Sequence, residues 1–210
     1  AAAAGAEAIL LDDGFQNPWI EKDLSLVVID AEYGFGNRRV IPAGPLREPV
    51  ATGLARADAI VLIGDAAEPS RLREAGCPIL GASLEPVDAG CFAGTRIVAF
   101  AGIGHPEKFF ATLRATGALP TATRAFADHH RFAESEIAEL RREAERHGAS
   151  LVTTAKDWVR LPARLRDEIA VLEVEIRWHD AAAVTRLLSG ILDRSAQGLG
   201  HGNDRRAAQG

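Results

Sequence analysis

The chain has no run of lysine or arginine, no apolar stretch long enough to span a membrane, and only two cysteines among 210 residues. Each absence narrows the function. With no clustered basic residues and a formal charge of −5, nothing offers an electrostatic footprint for a nucleic-acid backbone. No segment approaches the roughly 20 apolar residues that cross a bilayer. Ala1–Ala8 also lacks the charged start of a signal peptide. Cys77 and Cys91 are separated by thirteen residues and fit neither CxxC nor a zinc spacing. They read as reduced thiols of a cytosolic protein. A glycine-lysine phosphate loop, G-x-x-x-x-G-K-[ST], is missing as well.

What is present is a large apolar fraction, 47% of residues, enough for one sizeable α/β unit or two small packed ones. Short β-branched runs read as strands at Ile9–Leu11, Leu26–Asp30, Ala59–Ile63, Ile79–Leu84, Arg96–Ala101, Leu151–Thr153 and Ile169–Glu175. Leu26–Ile29 and Ile60–Ile63 are continuously apolar, the pattern of parallel strands covered on both faces. Helices are expected at Val50–Ala57, Ser70–Ala75, Pro106–Thr116, Glu134–His147 and Ala181–Leu192, spaced as crossovers between parallel strands. The fold class is α/β: a mostly parallel sheet with helices on both faces, and a second, smaller α/β lobe. A turn-rich break at residues 86–95 separates a first lobe, residues 1–88, from a second, residues 95–192. Residues 193–210 lack periodicity and are expected to be a disordered tail. Ala6–Leu11 enters what reads as a buried strand with almost nothing before it, so the chain is expected to begin partway through a domain.

Four segments carry candidate chemistry. Ile9–Leu11 runs into Asp12-Asp13-Gly14-Phe15-Gln16, which puts two carboxylates at a strand's carboxyl end, where ligands bind in open parallel sheets. Such an acid holds Mg²⁺ on nucleotide phosphates, although Asp-Asp-Gly is also an ordinary turn. Gly34–Arg39 and Pro42–Pro49 form a long Gly- and Pro-rich loop after the strand ending at Asp30. Its Arg38, Arg39 and Arg47 suit phosphate, and Glu48 suits either orienting Arg47 or reaching the metal. Asp128-His129-His130 precedes the Glu134 helix, and an acid-oriented histidine suits a general base for a hydroxyl. Metal ligation or a polar helix entry remain open for that pair. Thr153-Thr154-Ala155-Lys156-Asp157 places two hydroxyls and an ammonium at another strand end, where Lys156 suits a phosphate, a pair with Asp157 or a cap on local backbone. Gly102-Ile103-Gly104 lacks a third glycine in register, since residue 107 is Glu, and reads as a tight turn before a helix.

Taken in order, LLDDGFQNP (10–18), DLSLVVID (23–30), GFGN (34–37), PAGPLREP (42–49), RADAIVLIG (56–64), AFAGIGHPEKFF (99–110), FADHHRF (126–132) and LVTTAKDWVRLP (151–162) resemble tetraacyldisaccharide 4′-kinase. This is the lipid A 4′-kinase family of Gram-negative bacteria, membrane-associated relatives of the P-loop kinases. The resemblance implies a P-loop-kinase-like core, with ATP and Mg²⁺ as cofactors. It also implies phosphoryl transfer to the 4′-hydroxyl of an acylated disaccharide 1-phosphate lipid, giving lipid IVA at the cytoplasmic face of the inner membrane. Membrane contact would come from an N-terminal helix and apolar surface. It makes Asp12 and Asp13 the metal-binding acids and places Asn37, Gln16, Arg47, Glu48 and Lys156 toward the nucleotide. His129 or His130, beside Asp128, falls in the catalytic element, which in the family works with an Asp that would lie upstream of residue 1.

Two positions depart from the family pattern: Arg38 where Gly is usual, and Ala155 where Glu is usual. Without the glycine-lysine loop, this 210-residue chain by itself is expected to have little or no kinase activity. Two further readings fit the same residues: an α/β transferase using a nucleotide sugar, and a non-catalytic binding module of the same fold.

Overall fold

The computed structural model describes residues 5–6, 8–64, 72, 76–88 and 90–196. The chain divides into two compact units, one of residues 1–83 with 177–210 and the other of residues 84–176.

In the first unit, β1 (Leu26–Asp30), β2 (Ala59–Ile63) and β3 (Ile79–Pro86) lie side by side in parallel, in the order β1-β2-β3. Their apolar runs suit parallel pairing, but the cover on both faces expected of Leu26–Ile29 is absent: β1 is an edge strand and leaves Val28 62% exposed. β2 is central and covered on both faces, and its residues Ala59–Leu62 are 0–5% exposed. The five-residue helix α1 (Val50–Leu54) closes one side through Leu54. Ile29, Ile60, Leu62 and Leu72 complete that core.

The second unit is a three-layer sandwich. Its sheet has the order β5-β4-β6-β7, every pairing parallel, from β4 (Arg96–Ala101), β5 (Leu119–Ala125), β6 (Ser150–Thr154) and β7 (Ile169–Leu172). Strand β4 is its axis, with Ile97 to Ala101 all at 0% exposure. The period of two sends Ile97, Ala99 and Ala101 to helix α2 (Pro106–Ala115), against Phe109, Phe110 and Leu113. Val98 and Phe100 go to the other face, against Ile137, Leu140 and Ala144 of helix α3 (Glu134–His147). Gly148, at φ 56°, ends α3 in the left-handed conformation. After β6 come the one-turn helix α4 (Ala155–Trp158) and a 3₁₀ turn at Ala163–Leu165.

The α/β reading holds, with four corrections to its elements. Ile9–Leu11 is not a strand. A strand exists by pairing, and among the described residues none pairs with it; Leu10 is 96% exposed. The run Ile169–Glu175 splits at Glu173 into β7 and β8 (Val174–Trp178), which join different sheets. In the first sheet β8 lies beside β3. Bonds from His179 N–H to the Gly81 carbonyl and from Val87 N–H to the Glu173 carbonyl make that pair antiparallel. Strand β5 escaped the apolar pattern because it is a polar edge strand, LPTATRA, whose Pro120 is tolerated there. Finally, helix α5 (Ala181–Ala196) continues past the expected start of a disordered tail and groups with the first unit, not the second. The expected helix Ser70–Ala75 and the tail beyond 196 lie outside the described residues. Among the described residues no helix is long and apolar enough to cross a membrane.

Leu113 is fully buried between α2 and the sheet, whereas Leu119 opens edge strand β5 at 53% exposure. Leu113→Ala is expected to lower unfolding free energy by about 2–5 kcal/mol in urea titrations. Leu119→Ala is expected to change it by less than about 0.5 kcal/mol.

Candidate functional site

The acids at Asp12 and Asp13 stand in a turn rather than at a strand end. Asp13 itself takes the left-handed conformation, at φ 51°, which Asp tolerates better than most residues. Gly14 is required for a different reason: a Cβ there would come within 2.5 Å of the Leu11 Cβ. The turn presents Asp13 to the loop that follows β1. That loop starts where Asp30 Oδ1 accepts the N–H groups of Glu32 and Tyr33, at 3.0 and 3.2 Å.

From there a line of side chains forms. Arg47 grips Asp13 with both terminal nitrogens, at 2.9 and 2.8 Å, and its Nη1 also donates to Gln16 Oε1 at 3.2 Å. The Gln16 amide donates onward to Glu48 Oε1 at 3.2 Å. Arg56 forks onto both Glu48 oxygens at 2.6 and 2.7 Å, and its guanidinium lies 5.0 Å from the Phe15 ring centre. The bond from Arg47 holds the Asp13 carboxyl below its ordinary value, and the bond from Arg56 does the same for Glu48 against the opposing effect of burial. So Gln16, Arg47, Glu48 and Asp13 are brought together, with Arg56 as a member the motif reading missed. Its signal was present in the sequence: an arginine eight residues after Glu48, across a short helix.

Asn37 faces inward on its own loop, donating to the Ala43 carbonyl at 2.9 Å and accepting Arg39 N–H at 3.1 Å. It braces the loop's shape. Arg38, the departure from the family pattern, stands at φ 63°, as Gly34 and Gly36 stand at 59° and 58°. Gly adopts that conformation freely, while a side chain there costs roughly 1–2 kcal/mol.

Whether Mg²⁺ fits can be judged from the oxygens. Magnesium is held by one or two carboxylates together with substrate phosphates, so a protein cage is not needed. Accordingly no group of three ligating side chains exists among the described residues. Asp12 is exposed and has no side-chain partner among them, while both Asp13 oxygens are taken by Arg47. The residues present fit such an ion in one respect, the open carboxylate of Asp12, while the carboxylate of Asp13 is held by Arg47.

The second cluster belongs to the second unit. The turn Ala127–His130 is pinned by aromatic packing: the His130 ring stacks on Phe126 at 4.8 Å and meets Phe132 edge-on at 5.1 Å. Phe132 in turn packs edge-on against Phe100 of β4 at 5.3 Å. His130 Nε2 lies 2.9 and 3.1 Å from the Glu136 oxygens, and Glu136 also accepts the Ala133 N–H at 2.7 Å, closing the first turn of α3. The His130 bond, then the Ala133 bond, lowers the Glu136 carboxyl. His130 thereby fastens the turn to α3.

His129 differs. Its backbone is left-handed, at φ 59°, and its side chain is 77% exposed, with Nε2 3.7 Å from Asp128 Oδ2. Its backbone N–H reaches both the Gly102 carbonyl and Asp128 Oδ1, at 3.0 Å each. Gly102 is glycine because this turn closes on it: a Cβ would sit 3.1 Å from the His130 Cβ and 3.3 Å from the Ala127 carbonyl oxygen. The Gly102 N–H is consumed by Asp157 Oδ2 at 2.9 Å, so it does not face a phosphate.

Lys156 does not pair with Asp157. It is exposed on α4, while Asp157 turns inward to Thr154, Gly102 and Arg160. Asp157 and Arg160 were not expected in the site. A carboxylate one turn before an arginine, just past a strand, was the available signal. An open cleft of about 700 Å³ runs beside α3, lined by Arg124, Phe126, Glu136, Leu140 and Glu143. It holds neither His129 nor Asp128 and has no evident part in the chemistry.

With this geometry in hand, known proteins bear on the chain. The family model for tetraacyldisaccharide-1-P 4′-kinase, LpxK, matches residues 1–193. Tetraacyldisaccharide 4′-kinase of Paramagnetospirillum magneticum is 54% identical over 190 residues, covering 89% of this chain and 58% of that protein. The Dinoroseobacter shibae enzyme is 50% identical over 206 residues, covering 95% and 61%. The chain thus spans about three-fifths of the length of these curated relatives. Among solved structures, LpxK from Aquifex aeolicus in complex with ATP superposes with a TM-score of 0.57 at 22% identity, over 85% of this chain and 55% of that one, a likeness of fold. On the family match and the two relatives, this chain belongs to the tetraacyldisaccharide-1-P 4′-kinase family.

Proposed function

We propose that this chain provides metal-binding and acceptor-handling residues of a kinase that moves the ATP γ-phosphate to the 4′-hydroxyl of tetraacyldisaccharide 1-phosphate, giving lipid IVA. The observation that carries the reading is the turn at Asp12 and Asp13, set against Arg47 in a chain of the family. Asp12 supplies an open carboxylate for Mg²⁺. When bound, that ion neutralises charge on the phosphates during transfer. Arg47 holds Asp13 by a fork equally suited to a phosphate, and the pair is exposed, at 57% and 68%. Exposed ion pairs contribute little, so exchanging Asp13 for a phosphate oxygen costs little and releases Asp13 toward the ion. Glu48 and Gln16 keep Arg47 aimed, and Arg56 keeps Glu48 aimed. Lys156, exposed on α4, is left as a cation for phosphate. Asp128 and His129 handle the acceptor hydroxyl, while His130 serves the turn. A lipid acceptor places this chemistry at the cytoplasmic face of the inner membrane.

The test is transfer of labelled γ-phosphate to the disaccharide lipid by the full-length protein in detergent. Asp12→Asn is expected to reduce kcat by about 10²-fold or more. Unchanged turnover would remove Asp12 from the site and sink the reading of this turn.

Acid stability follows from the three depressed carboxyls, Asp13, Glu48 and Glu136. A lowered folded value means that stability is present in full above the unfolded value, 3.8 for Asp and 4.5 for Glu, and is lost as pH falls through the folded one. Urea midpoints are therefore expected to be level from neutrality to about pH 4.5 as far as these groups are concerned, and to fall below it. In Arg56→Met that acid decline becomes shallower, because Glu48 loses the bond that depresses it.

A further inference from the structure

One cation in the second unit has no part in the reaction as assigned above. Asp157 is fully buried, and its two oxygens are divided. Oδ2 accepts the Gly102 N–H at 2.9 Å and the Thr154 hydroxyl at 2.8 Å, while Oδ1 accepts Arg160 Nη1 at 3.2 Å. The same Nη1 donates to the Gly102 carbonyl at 3.1 Å. With that nitrogen spent twice, the guanidinium is fixed in direction, and its other terminal nitrogen, Nη2, stands 3.0 Å from His129 Nδ1.

The identity of the donor settles the proton. Arginine has five N–H donors, no acceptor, and does not lose its charge in proteins. A short contact between it and an imidazole nitrogen is therefore a hydrogen bond only if that nitrogen offers a lone pair. In a neutral ring the proton is then on the other nitrogen, and the bond made by one ring nitrogen sets the state of the other. The backbone adds to this: the His129 N–H is held by both Gly102 and Asp128, which fixes where the ring starts from.

We propose that Arg160, anchored by buried Asp157, is a positioning residue that holds His129 as the Nε2–H tautomer, so that the nitrogen left for chemistry is a hydrogen-bond donor. The proposal rests on the reading of His129 as a functional residue and sharpens it. Nε2, the ring nitrogen that Arg160 leaves open, lies 3.7 Å from Asp128 Oδ2. Such a ring serves the reaction by donating to a carboxylate or phosphate oxygen; it does not itself take the hydroxyl proton. His130 has no comparable freedom, since its Nε2 is bound to Glu136.

The proposal is read directly from long-range ¹H–¹⁵N correlation spectra of the imidazoles in the ¹⁵N-labelled chain, above the pH at which histidine titrates. In the wild-type chain His129 is expected to show one tautomer, with Nδ1 unprotonated and Nε2 protonated. Arg160→Met should move both nitrogens toward the average of two exchanging tautomers, and Arg160→Lys, which can also only donate, should restore the single form. A wild-type His129 protonated at Nδ1, or a spectrum indifferent to Arg160→Met, overturns the proposal. The wild-type spectrum decides even if a variant fails to fold. In the full-length protein, Arg160→Met is expected to lower kcat by roughly 10²-fold with KM unchanged, with partial recovery in Arg160→Lys. A tautomer released as expected, with kcat unaltered, would uphold the positioning and remove His129 from the proposed reaction.

Discussion

The second unit turns on a single buried carboxylate. Asp157 has no exposed surface, and a lone charge there would be expelled by its desolvation cost. It persists because each oxygen is met: by a backbone N–H after β4, a hydroxyl ending β6, and a guanidinium from one turn further on. Removing one partner of such a set typically costs about 3–5 kcal/mol, because what remains is an unpaired ion in the interior. Through those bonds the carboxyl ends of two neighbouring strands are tied at one point. The turn carrying His129 rests on that knot by way of Gly102. The apolar layers on either side of β4 are what keep the carboxylate dry.

The first unit arranges its charges in the opposite manner. Asp13, Arg47, Gln16, Glu48 and Arg56 form an equally continuous line, but its outer end is open to solvent. Burial gives permanence and exposure gives exchange. A buried ion pair fixes the direction of a ring, while an exposed fork can trade a carboxylate for a phosphate. The line is most covered at Glu48, 19% exposed, and most open at Asp13, 68%.

Much of this was legible in the sequence where an apolar pattern coincides with burial. β2, β4 and α3 lie where their apolar patterns place them, because hydrophobic patterning reports the covering layers directly, whereas β1, equally apolar, is an edge strand with Val28 exposed. The reading failed where pairing or position mattered more than composition. Ile9–Leu11 is apolar yet pairs with no strand among the described residues, whereas β5 is polar and pairs at the sheet's edge. Within the site, the acids and the loop from Gly34 to Glu48 were visible as motifs. Arg56, Asp157 and Arg160 had only their spacing to mark them, and spacing does not say which way a charged side chain turns. Lys156 and its neighbour Asp157 part ways, because the short helix after β6 leaves the lysine exposed and turns the carboxylate inward. The family came through the order of many short segments, none of which is specific alone.

The path of the chain has a consequence for synthesis. β3 leads out of the first sheet, β4 to β7 build the second without interruption, and β8 and α5 then return to the first sheet's unit. On the ribosome the later-coded unit is thus the first to have all of its strands available. β1, β2 and β3 must wait, with β3 lacking its antiparallel neighbour, until residues 174–196 emerge. An interruption of translation between those points would leave a finished sandwich attached to an unclosed sheet with a bare edge, the kind of surface that invites aggregation.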